Sequence, residues 1–249
     1  MSKIKLITGD AKKLDILSNS VDLIITHPPY FSIDADRYGG DKSKQLGFMG
    51  SNEKKFLKLM NSATKEMYRV LKPNGNLWIA TAPFDGIDSM YVSNVIKNTK
   101  FNYVDRFFQA SYDDKTLPVD KSVEGIVSNS VTIWNHFTKT KDFYYNHIEC
   151  KRNNNPIWNL DFSNLGDEVD KELHKDYPVQ DTMNKELVVN LIKMFSKPNH
   201  TVLDPFAGTG MVGVTAVELG RYGIINDISE KQIEGAKKRI LLTLGETVE

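Results

Sequence analysis

The stretch Thr201-Val-Leu-Asp-Pro-Phe-Ala-Gly-Thr-Gly210 is a short apolar run that stops at an acid and passes into a glycine-rich turn. Helical spacing follows over residues 211–219, and a second strand pattern over residues 222–225 ends at Asn226-Asp227. Strand, Gly-x-Gly turn, helix and strand in this order form half of a nucleotide-binding α/β fold. The glycines let the backbone approach a ligand, and the start of the helix offers free N–H groups to a carboxylate or phosphate. The stretch therefore predicts a ligand site at the edge of a mostly parallel sheet.

The acid that ends the second strand, Asp227, stands where such folds place the acceptor for ribose hydroxyls. A third glycine, Gly213, also fits the spacing of a dinucleotide fingerprint. The residues in front of the glycines, Asp204-Pro205-Phe206, favour a different nucleoside. The pattern thus predicts a nucleoside-type ligand.

Another predicted strand ends abruptly, because the apolar run Val21-Asp-Leu-Ile-Ile25 leads into Thr26-His27-Pro28-Pro29-Tyr30. Proline cannot donate to a sheet ladder and restricts the residue before it to extended conformations. The result is a stiff elbow at the carboxyl edge of a sheet, where open α/β sheets bind ligands. Its imidazole and phenol can hold a flat polar group by one edge and one face, although Pro-Pro also serves as a plain strand stop.

The composition is that of an ordinary globular protein, with 249 residues and equal numbers of basic and acidic side chains, 32 each. No global charge attracts the chain to nucleic acid, so such binding would need a local basic face. The single cysteine, Cys150, excludes an internal disulfide framework and a four-cysteine zinc site. The absence of a signal-peptide core and of a membrane-length apolar run predicts a cytoplasmic location without membrane contact.

Periodicity predicts the other elements of a single domain over residues 1–249. Strands are expected over residues 3–8, 76–81, 101–110 and 130–137, and helices over residues 53–71, 182–195 and 230–242. Helical spacing also follows Gly9-Asp10, over residues 11–17, with Asp10 as a turn residue or helix cap. The segment Lys72-Pro73-Asn74-Gly75 is expected to stop a helix.

Two polar stretches interrupt this pattern. Residues 31–52 are rich in Gly, Asp, Ser and Lys and adjoin the elbow, so they predict a mobile, substrate-contacting loop. Residues 150–178 begin with the basic segment Lys151-Arg-Asn-Asn-Asn-Pro, and acids soon balance its charge. They predict a small insertion that either contacts phosphate or is a solvated surface excursion.

The two motifs resemble those of one enzyme family. Asp204-Pro-Phe-Ala-Gly-Thr-Gly210 resembles the S-adenosylmethionine motif of DNA amino-methyltransferases, which methylate adenine N6 or cytosine N4. Thr26-His-Pro-Pro-Tyr30 resembles their catalytic motif, Asp/Asn/Ser-Pro-Pro-Tyr, and residues 70–78, 137–146 and 177–195 are similar to further family segments. The catalytic motif comes first, as in the permuted β-group. The resemblance covers most of the chain and implies a Rossmann-like methyltransferase fold, circularly permuted in motif order, with residues 150–178 as a target-recognition insertion.

The resemblance also implies roles for single residues. Asp227 would accept from the ribose hydroxyls and Asp10 from the adenine amino group of the cofactor, while Thr182 would meet the methionine carboxylate or simply cap a helix. The full cofactor-binding set would be Asp10, Thr26, Thr182, Asp204, Pro205, Phe206, Gly208, Gly210 and Asp227. The catalytic set would be His27, Pro28, Pro29 and Tyr30. The implied partner is duplex DNA with an extruded base, which Tyr30 would stack on; a homodimer is consistent with the family, and no metal is needed.

The elbow departs from the family pattern at His27, where Asp, Asn or Ser is usual. The exocyclic amine of a base is conjugated into the ring, so accepting its hydrogen bonds at residue 27 and at the Pro28 carbonyl favours a nucleophilic, tetrahedral nitrogen. A neutral imidazole can accept one such bond, whereas imidazolium cannot. This predicts an activity that falls as the pH drops through the histidine range near about 6.5.

Three functions compete on this sequence. The first is an active DNA amino-methyltransferase, for which Ile25-Thr26 resembles the cytosine-N4 version, Thr-Ser-Pro-Pro-Tyr, slightly more than the adenine version. The second is an RNA or protein amino-methyltransferase of the same fold, although those families usually place the cofactor motif first. The third is a non-catalytic subunit that binds nucleic acid.

Overall fold

The central strand Val21–Thr26 is buried along its whole length, as expected for a strand with helices on both faces of its sheet. The computed structural model describes residues 3–29, 53–81, 87–112, 131–152, 156–161, 168–173, 175–177 and 183–248. The strands are β1 (Ile4–Thr8), β2 (Val21–Thr26), β3 (Leu71–Thr81), β4 (Asn102–Tyr112), β5 (Val131–Thr138), β6 (Ile157–Asp161), β7 (Thr201–Asp204) and β8 (Tyr222–Asp227). The helices are α1 (Glu53–Val70), α2 (Ile87–Asn98), α3 (His147–Arg152), α4 (Glu168–Leu173), α5 (Lys185–Phe195), α6 (Met211–Glu218) and α7 (Glu230–Leu244).

Over the described residues the strands form one sheet in the order β1-β8-β7-β2-β3-β5-β4-β6. Neighbouring strands are parallel except at β5, which runs antiparallel to both β3 and β4. The chain order reverses between β7 and β2, where open α/β sheets form a crevice at the carboxyl ends of the strands. The predicted mostly parallel α/β fold is therefore confirmed.

Helices cover both faces of this sheet. On β2, Ile24 packs with α1 and α2, while Leu23 and Ile25 pack with α5 and α6. At the β8 end, α7 joins α6 over Ile225. Helix α6 can approach β8 closely because glycines meet there: a Cβ on Gly223 would overlap the Gly213 carbonyl oxygen. The third glycine of the fingerprint thus serves helix–strand packing. No helix in the described part of the chain is long and apolar enough to cross a bilayer.

The helix expected over residues 11–17 is wrong, since these residues form turns and bends. Asp10 Oδ1 accepts from the Lys12 N–H at 2.9 Å, which closes a turn. Leu14 N–H then donates to Glu66, and the Arg69 guanidinium donates to the Leu14 carbonyl. Partners on α1 thus satisfy backbone groups that would otherwise have formed helical bonds.

Two boundaries also differ from the prediction. Helix α1 ends at Val70 and passes directly into β3, so Lys72-Pro73-Asn74-Gly75 does not form a separate turn after the helix. These four residues bulge from β3 between Leu71 and Asn76, which both pair with β2. Helix α5 starts at Lys185, with the Asn184 side chain as its N-cap. The capping role considered for Thr182 therefore falls to Asn184; Thr182 itself lies outside the described residues.

The described parts of residues 150–178 are joined to the main domain. Strand β6 pairs in parallel with β4, and the Trp158 ring stacks on Phe107 with centroids 4.4 Å apart. Helix α4 packs on α7, and its buried Asp170 forms an ion pair with Arg239 of α7. Strand β6 and helix α4 are therefore packed parts of the domain, and the alternative of a solvated surface excursion does not apply to them. The loop predicted over residues 31–52 lies outside the described residues.

Candidate active site

The predicted site residues follow neighbouring strands at one edge of the sheet. Strands β1, β8, β7 and β2 are adjacent and parallel, so their carboxyl ends meet at this edge. Thr8 pairs with Asp227, which brings the Gly9-Asp10 turn beside the acid of β8. The elbow follows β2, and the glycine turn follows β7 next to it. Strand order thus brings the two predicted motifs together across the reversal point.

His27 is partly buried at the start of the elbow, in front of an aromatic wall. Its ring lies 6.2 Å from that of Trp134, which stacks on Phe107. The Trp134 indole donates to Gln109 at 3.0 Å, which fixes the wall. Burial lowers the pKa of His27 to about 4, so the imidazole is neutral at neutral pH and keeps one acceptor nitrogen.

The rest of the elbow is only partly described. Pro28 is buried and Pro29 partly buried, directly after His27. Tyr30 lies outside the described residues, so its stacking role stays a prediction.

Thr26 and Asp204 join the two motifs. The Thr26 hydroxyl donates to Asp204 Oδ1 at 2.7 Å, and the Phe206 N–H donates to the same oxygen at 3.0 Å. Both Thr26 and Asp204 are fully buried, and Asp204 Oδ2 has no hydrogen-bond partner among the described residues. Burial raises the pKa of Asp204 to about 7, against the opposing effect of the Thr26 hydroxyl. These two side chains, both predicted to bind cofactor, bind each other.

Asp227 holds the glycine turn from the other side. Its Oδ2 accepts from Gly208 N–H at 2.8 Å, and its Oδ1 accepts from Ser229 N–H at 2.9 Å. Burial raises the pKa of the Asp227 carboxyl, while the N–H groups of Ser229 and Gly208 oppose that rise. Each carboxylate oxygen has more than one lone-pair site, so Asp227 can also accept from a ligand hydroxyl.

The glycines of the turn adopt left-handed backbone conformations, with φ of 51° at Gly208 and 83° at Gly210. Gly210 is also the N-cap of α6 and provides no side-chain cap. The turn can therefore offer backbone N–H groups at the start of α6 to an acceptor on a ligand.

Asp10 follows β1 and remains partly open. Its side chain is 39% exposed and lies 3.2 Å from Lys12 Nζ. One oxygen also closes the turn with the Lys12 backbone. The carboxylate keeps further acceptor sites for an amino group, as its predicted role requires.

Asn226 is a site residue that no sequence pattern selected. Its fully buried side chain donates through Nδ2 to the Gly9 and Pro205 carbonyl oxygens, each at 3.0 Å. It therefore ties the turn after β1 to the turn after β7. A polar residue at the end of a strand, next to the acid, is the signal that marks it, and that signal is weak by itself.

The residues present fit S-adenosylmethionine. Two partly exposed carboxylates, Asp10 and Asp227, lie at the ends of adjacent strands, where they could accept from amino and hydroxyl groups of a nucleoside. The positive-φ turn and the start of α6 supply backbone donors for a carboxylate. Among the described residues no group of His, Cys, Asp or Glu side chains could hold a metal ion.

Comparisons with known proteins identify the family of this chain. A family model described as DNA methylase, for N6/N4 methyltransferases, matches residues 21–238. The type II methyltransferase M.HinfI of Haemophilus influenzae is 26% identical over 255 residues, 94% of this chain and 67% of the relative.

Two solved structures share the fold. The PvuII DNA methyltransferase (cytosine-N4-specific) superposes with a TM-score of 0.78 at 18% identity, over 96% of this chain and 87% of the other. TTHA0409 from Thermus thermophilus, complexed with S-adenosyl-L-methionine, superposes with a TM-score of 0.69 at 21% identity, over 98% and 99%. Because the family model spans most of its length, this chain belongs to the DNA methylase family of N6/N4 methyltransferases, S-adenosylmethionine-dependent enzymes that methylate amino groups of DNA bases.

Proposed function

We propose that this enzyme methylates the exocyclic amine of a base extruded from duplex DNA, with His27-Pro28-Pro29 as the elbow that receives the amine. The observation that carries this proposal is the Thr26–Asp204 hydrogen bond. It joins the strand end that presents the elbow to the strand end that starts the glycine turn. An acceptor for the amine and a turn suited to the methyl donor are thereby held next to each other.

The cofactor-binding roles follow the placement of the acids. Asp227 accepts from the ribose hydroxyls and Asp10 from the adenine amino group, as their exposure at adjacent strand ends allows. Gly208, Gly210 and Phe206 line the methionine and ribose part, since they form the turn between β7 and α6. Asp204 acts through this turn, because its own side chain is fully buried.

The elbow residues prepare the amine. When bound, S-adenosylmethionine supplies an electrophilic methyl group. His27 and the Pro28 carbonyl accept hydrogen bonds from the amine, which directs its lone pair away from the ring. As the N–C bond would form and the bond between the methyl group and the sulfur would break, with its electron pair left on sulfur, a neutral imidazole nitrogen of His27 would take the proton that the amine releases. The methylated amino group is a strong acid before it loses this proton, so a base with a pKa of about 4 is sufficient.

Cytosine N4 is the favoured target, with adenine N6 close behind. Ile25-Thr26 is more similar to the N4 version of the catalytic motif, and the PvuII enzyme, which shares the fold, is cytosine-N4-specific. Digestion of methylated DNA to nucleosides distinguishes the two products. N4-methylcytosine is expected, and N6-methyladenine alone would overturn this assignment.

Radiolabelled methyl transfer to duplex DNA, single-stranded DNA and RNA tests the function itself. Label is expected in duplex DNA, and H27A is expected to abolish it, because the amine loses its side-chain acceptor. H200A is the matched control, since His200 precedes β7 at the opposite edge of the sheet. Label in RNA but not in DNA would support the RNA alternative, and no transfer to any substrate would support a non-catalytic subunit.

Four further features complete the proposal. Residues 150–178 contribute to target recognition and residues 31–52 contact the substrate, so exchanging either stretch for that of a relative should alter the methylated sequence. The family is consistent with a homodimer, which sedimentation tests. The DNA substrate is consistent with a cytoplasmic location, which fractionation tests.

A further inference from the structure

A buried arginine on α7 contacts the cofactor turn. Arg239 is 1% exposed, and its Nε donates to the Thr209 carbonyl oxygen at 2.9 Å. Its Nη2 donates to Thr209 Oγ1 at 3.1 Å and also forms an ion pair with Asp170 of α4. Arginine stays charged in proteins, and a buried charge is tolerated only when it is paired and hydrogen-bonded. Arg239 therefore fixes Thr209 and Asp170 relative to each other.

Thr209 is the central residue of the Gly208-Thr209-Gly210 turn. On one side Asp227 accepts from the Gly208 N–H at 2.8 Å. On the other side Arg239 binds both the carbonyl and the hydroxyl of Thr209. Glycines at positive φ have wide conformational freedom, so these two anchors, together with the backbone bond from Gly210 N–H to the Ala207 carbonyl, restrict the conformation of the turn.

Steric contacts bring the segment after α4 to the same place. A Cβ on Gly235 of α7 would lie 2.9 Å from Thr209 Cγ2 and 3.0 Å from Tyr177 Cγ. Tyr177 in turn is held to α4, because its N–H donates to the Leu173 carbonyl at 2.8 Å. The turn, α7 and the segment of residues 168–177, described over 168–173 and 175–177, therefore meet at Gly235, where only glycine leaves the necessary room.

We propose that Arg239 is a positioning residue that couples the docking of residues 168–177 to the conformation of the cofactor turn. Docking of this segment then raises the affinity for S-adenosylmethionine, and binding of S-adenosylmethionine stabilises the docked segment, because coupling between two sites is reciprocal. This inference rests on the proposed assignment of the turn to the cofactor. It gives part of the predicted target-recognition insertion an effect on cofactor binding.

Calorimetric titration of the full-length protein with S-adenosylmethionine tests the coupling. T209V removes the hydroxyl and keeps the shape, T209S keeps the hydroxyl, and D170N removes the charge that pairs with Arg239. T209V and D170N are expected to raise the Kd by about fivefold or more, and T209S is expected to bind like wild type. K72M is the matched control, because it breaks the ion pair between Lys72 and Asp22, another buried carboxylate, well away from the turn. It should lower Tm and leave the Kd unchanged.

Amide hydrogen exchange provides a second readout that does not need turnover. In the wild type, S-adenosylmethionine should slow exchange in residues 168–173, and this slowing should be lost in T209V. An unchanged Kd in both T209V and D170N, with unchanged exchange, would overturn the coupling. D227A separates this result from failure of the site assignment. If D227A raises the Kd and the other variants do not, only the coupling is wrong; if D227A also has no effect, the assignment of the turn to the cofactor fails with it.

Discussion

Thr26 donates its hydroxyl to Asp204 across 2.7 Å, between the ends of two parallel strands that lie far apart in the sequence. Both side chains are fully buried, so water does not compete for the bond. Thr26 immediately precedes His27, and Asp204 also accepts from the Phe206 N–H. A displacement of either turn would therefore be transmitted to the other through this hydrogen bond as well as through the paired strands. This bond adds a side-chain link between the elbow and the cofactor turn to the backbone pairing of β2 with β7.

Replacing Thr26 by valine should separate the two motifs. T26V keeps the shape and removes the donor, so we expect kcat/KM for DNA methylation to fall by about tenfold to a hundredfold, as for small misplacements of reacting groups. The loss of a donor to a buried carboxyl should also lower the free energy of unfolding by about 1–3 kcal/mol. T26S restores the hydroxyl and should behave like wild type. A T26V enzyme with reduced Tm but normal kcat/KM at a temperature where it is folded would contradict this role.

The pH dependence of His27 should differ from that of an ordinary histidine. Burial lowers its pKa to about 4, so the imidazole is neutral, and able to accept, throughout the range above that value. The acid limb attributable to His27 is therefore expected near pH 4, and not near the value of about 6.5 that the residue type alone suggested.

Rate profiles from pH 4.5 to 8 on wild type and H27N test this expectation, because asparagine accepts a hydrogen bond without titrating. Burial raises the pKa of Asp204 to about 7, so the rate should also fall as the pH drops through that value. This fall should persist in H27N and disappear in D204N. A limb near pH 6.5 that H27N removes would show that His27 titrates normally.

The strands that form the site could be read from the sequence because each is a short apolar run ended by proline, glycine or an acid. Strands β2, β7 and β8 lie where they were predicted, and parallel pairing then brings their ends together without further information. The elbow and the glycine turn became neighbours for this reason. Family resemblance added which ligand they hold.

The links within the site could not be predicted, because they depend on side chains that meet only after packing. The bonds of Asn226 to two turns and of Arg239 to Thr209 follow no periodic pattern. The failed helix over residues 11–17 has the same origin. Its spacing was helical, yet the Leu14 N–H donates to Glu66 and the Leu14 carbonyl accepts from Arg69, both on α1.

Asn226 should control cofactor affinity through the two turns that it joins. N226D replaces the amide donor by a carboxyl group that faces the Gly9 and Pro205 carbonyl oxygens. We expect a loss of about 1–3 kcal/mol in unfolding free energy and a weaker Kd for S-adenosylmethionine, because buried acceptors lose their donor.

N76D is a control of the same chemistry. Asn76 is also fully buried and donates to the Tyr144 carbonyl, away from the site edge. It should lower stability and leave the Kd unchanged. Equal effects of N226D and N76D on the Kd would show that Asn226 acts only through global stability.

His136 should make the folded state sensitive to acid. It is buried, stacks on Trp78 with ring centroids 4.4 Å apart, and shares a 2.9 Å hydrogen bond with Asn76 Oδ1. Burial lowers its pKa to about 3, so the fold holds it neutral while the unfolded chain takes up a proton near about pH 6.5. Its contribution to stability is therefore complete above that pH and is lost as the pH falls toward 3, by about 1.4 kcal/mol per pH unit.

Denaturant unfolding of wild type and H136Q at pH 7 and pH 5 measures this contribution. H136Q keeps a donor for Asn76 Oδ1 and does not titrate. It loses the ring that stacks on Trp78, so it should be less stable than wild type at pH 7. The difference in unfolding free energy between the two proteins should shrink by about 2 kcal/mol at pH 5, because only wild type must keep a histidine neutral. All other titrating groups are common to both proteins and cancel in this difference. Parallel pH curves for the two proteins would mean that His136 is protonated as readily in the fold as in the unfolded chain.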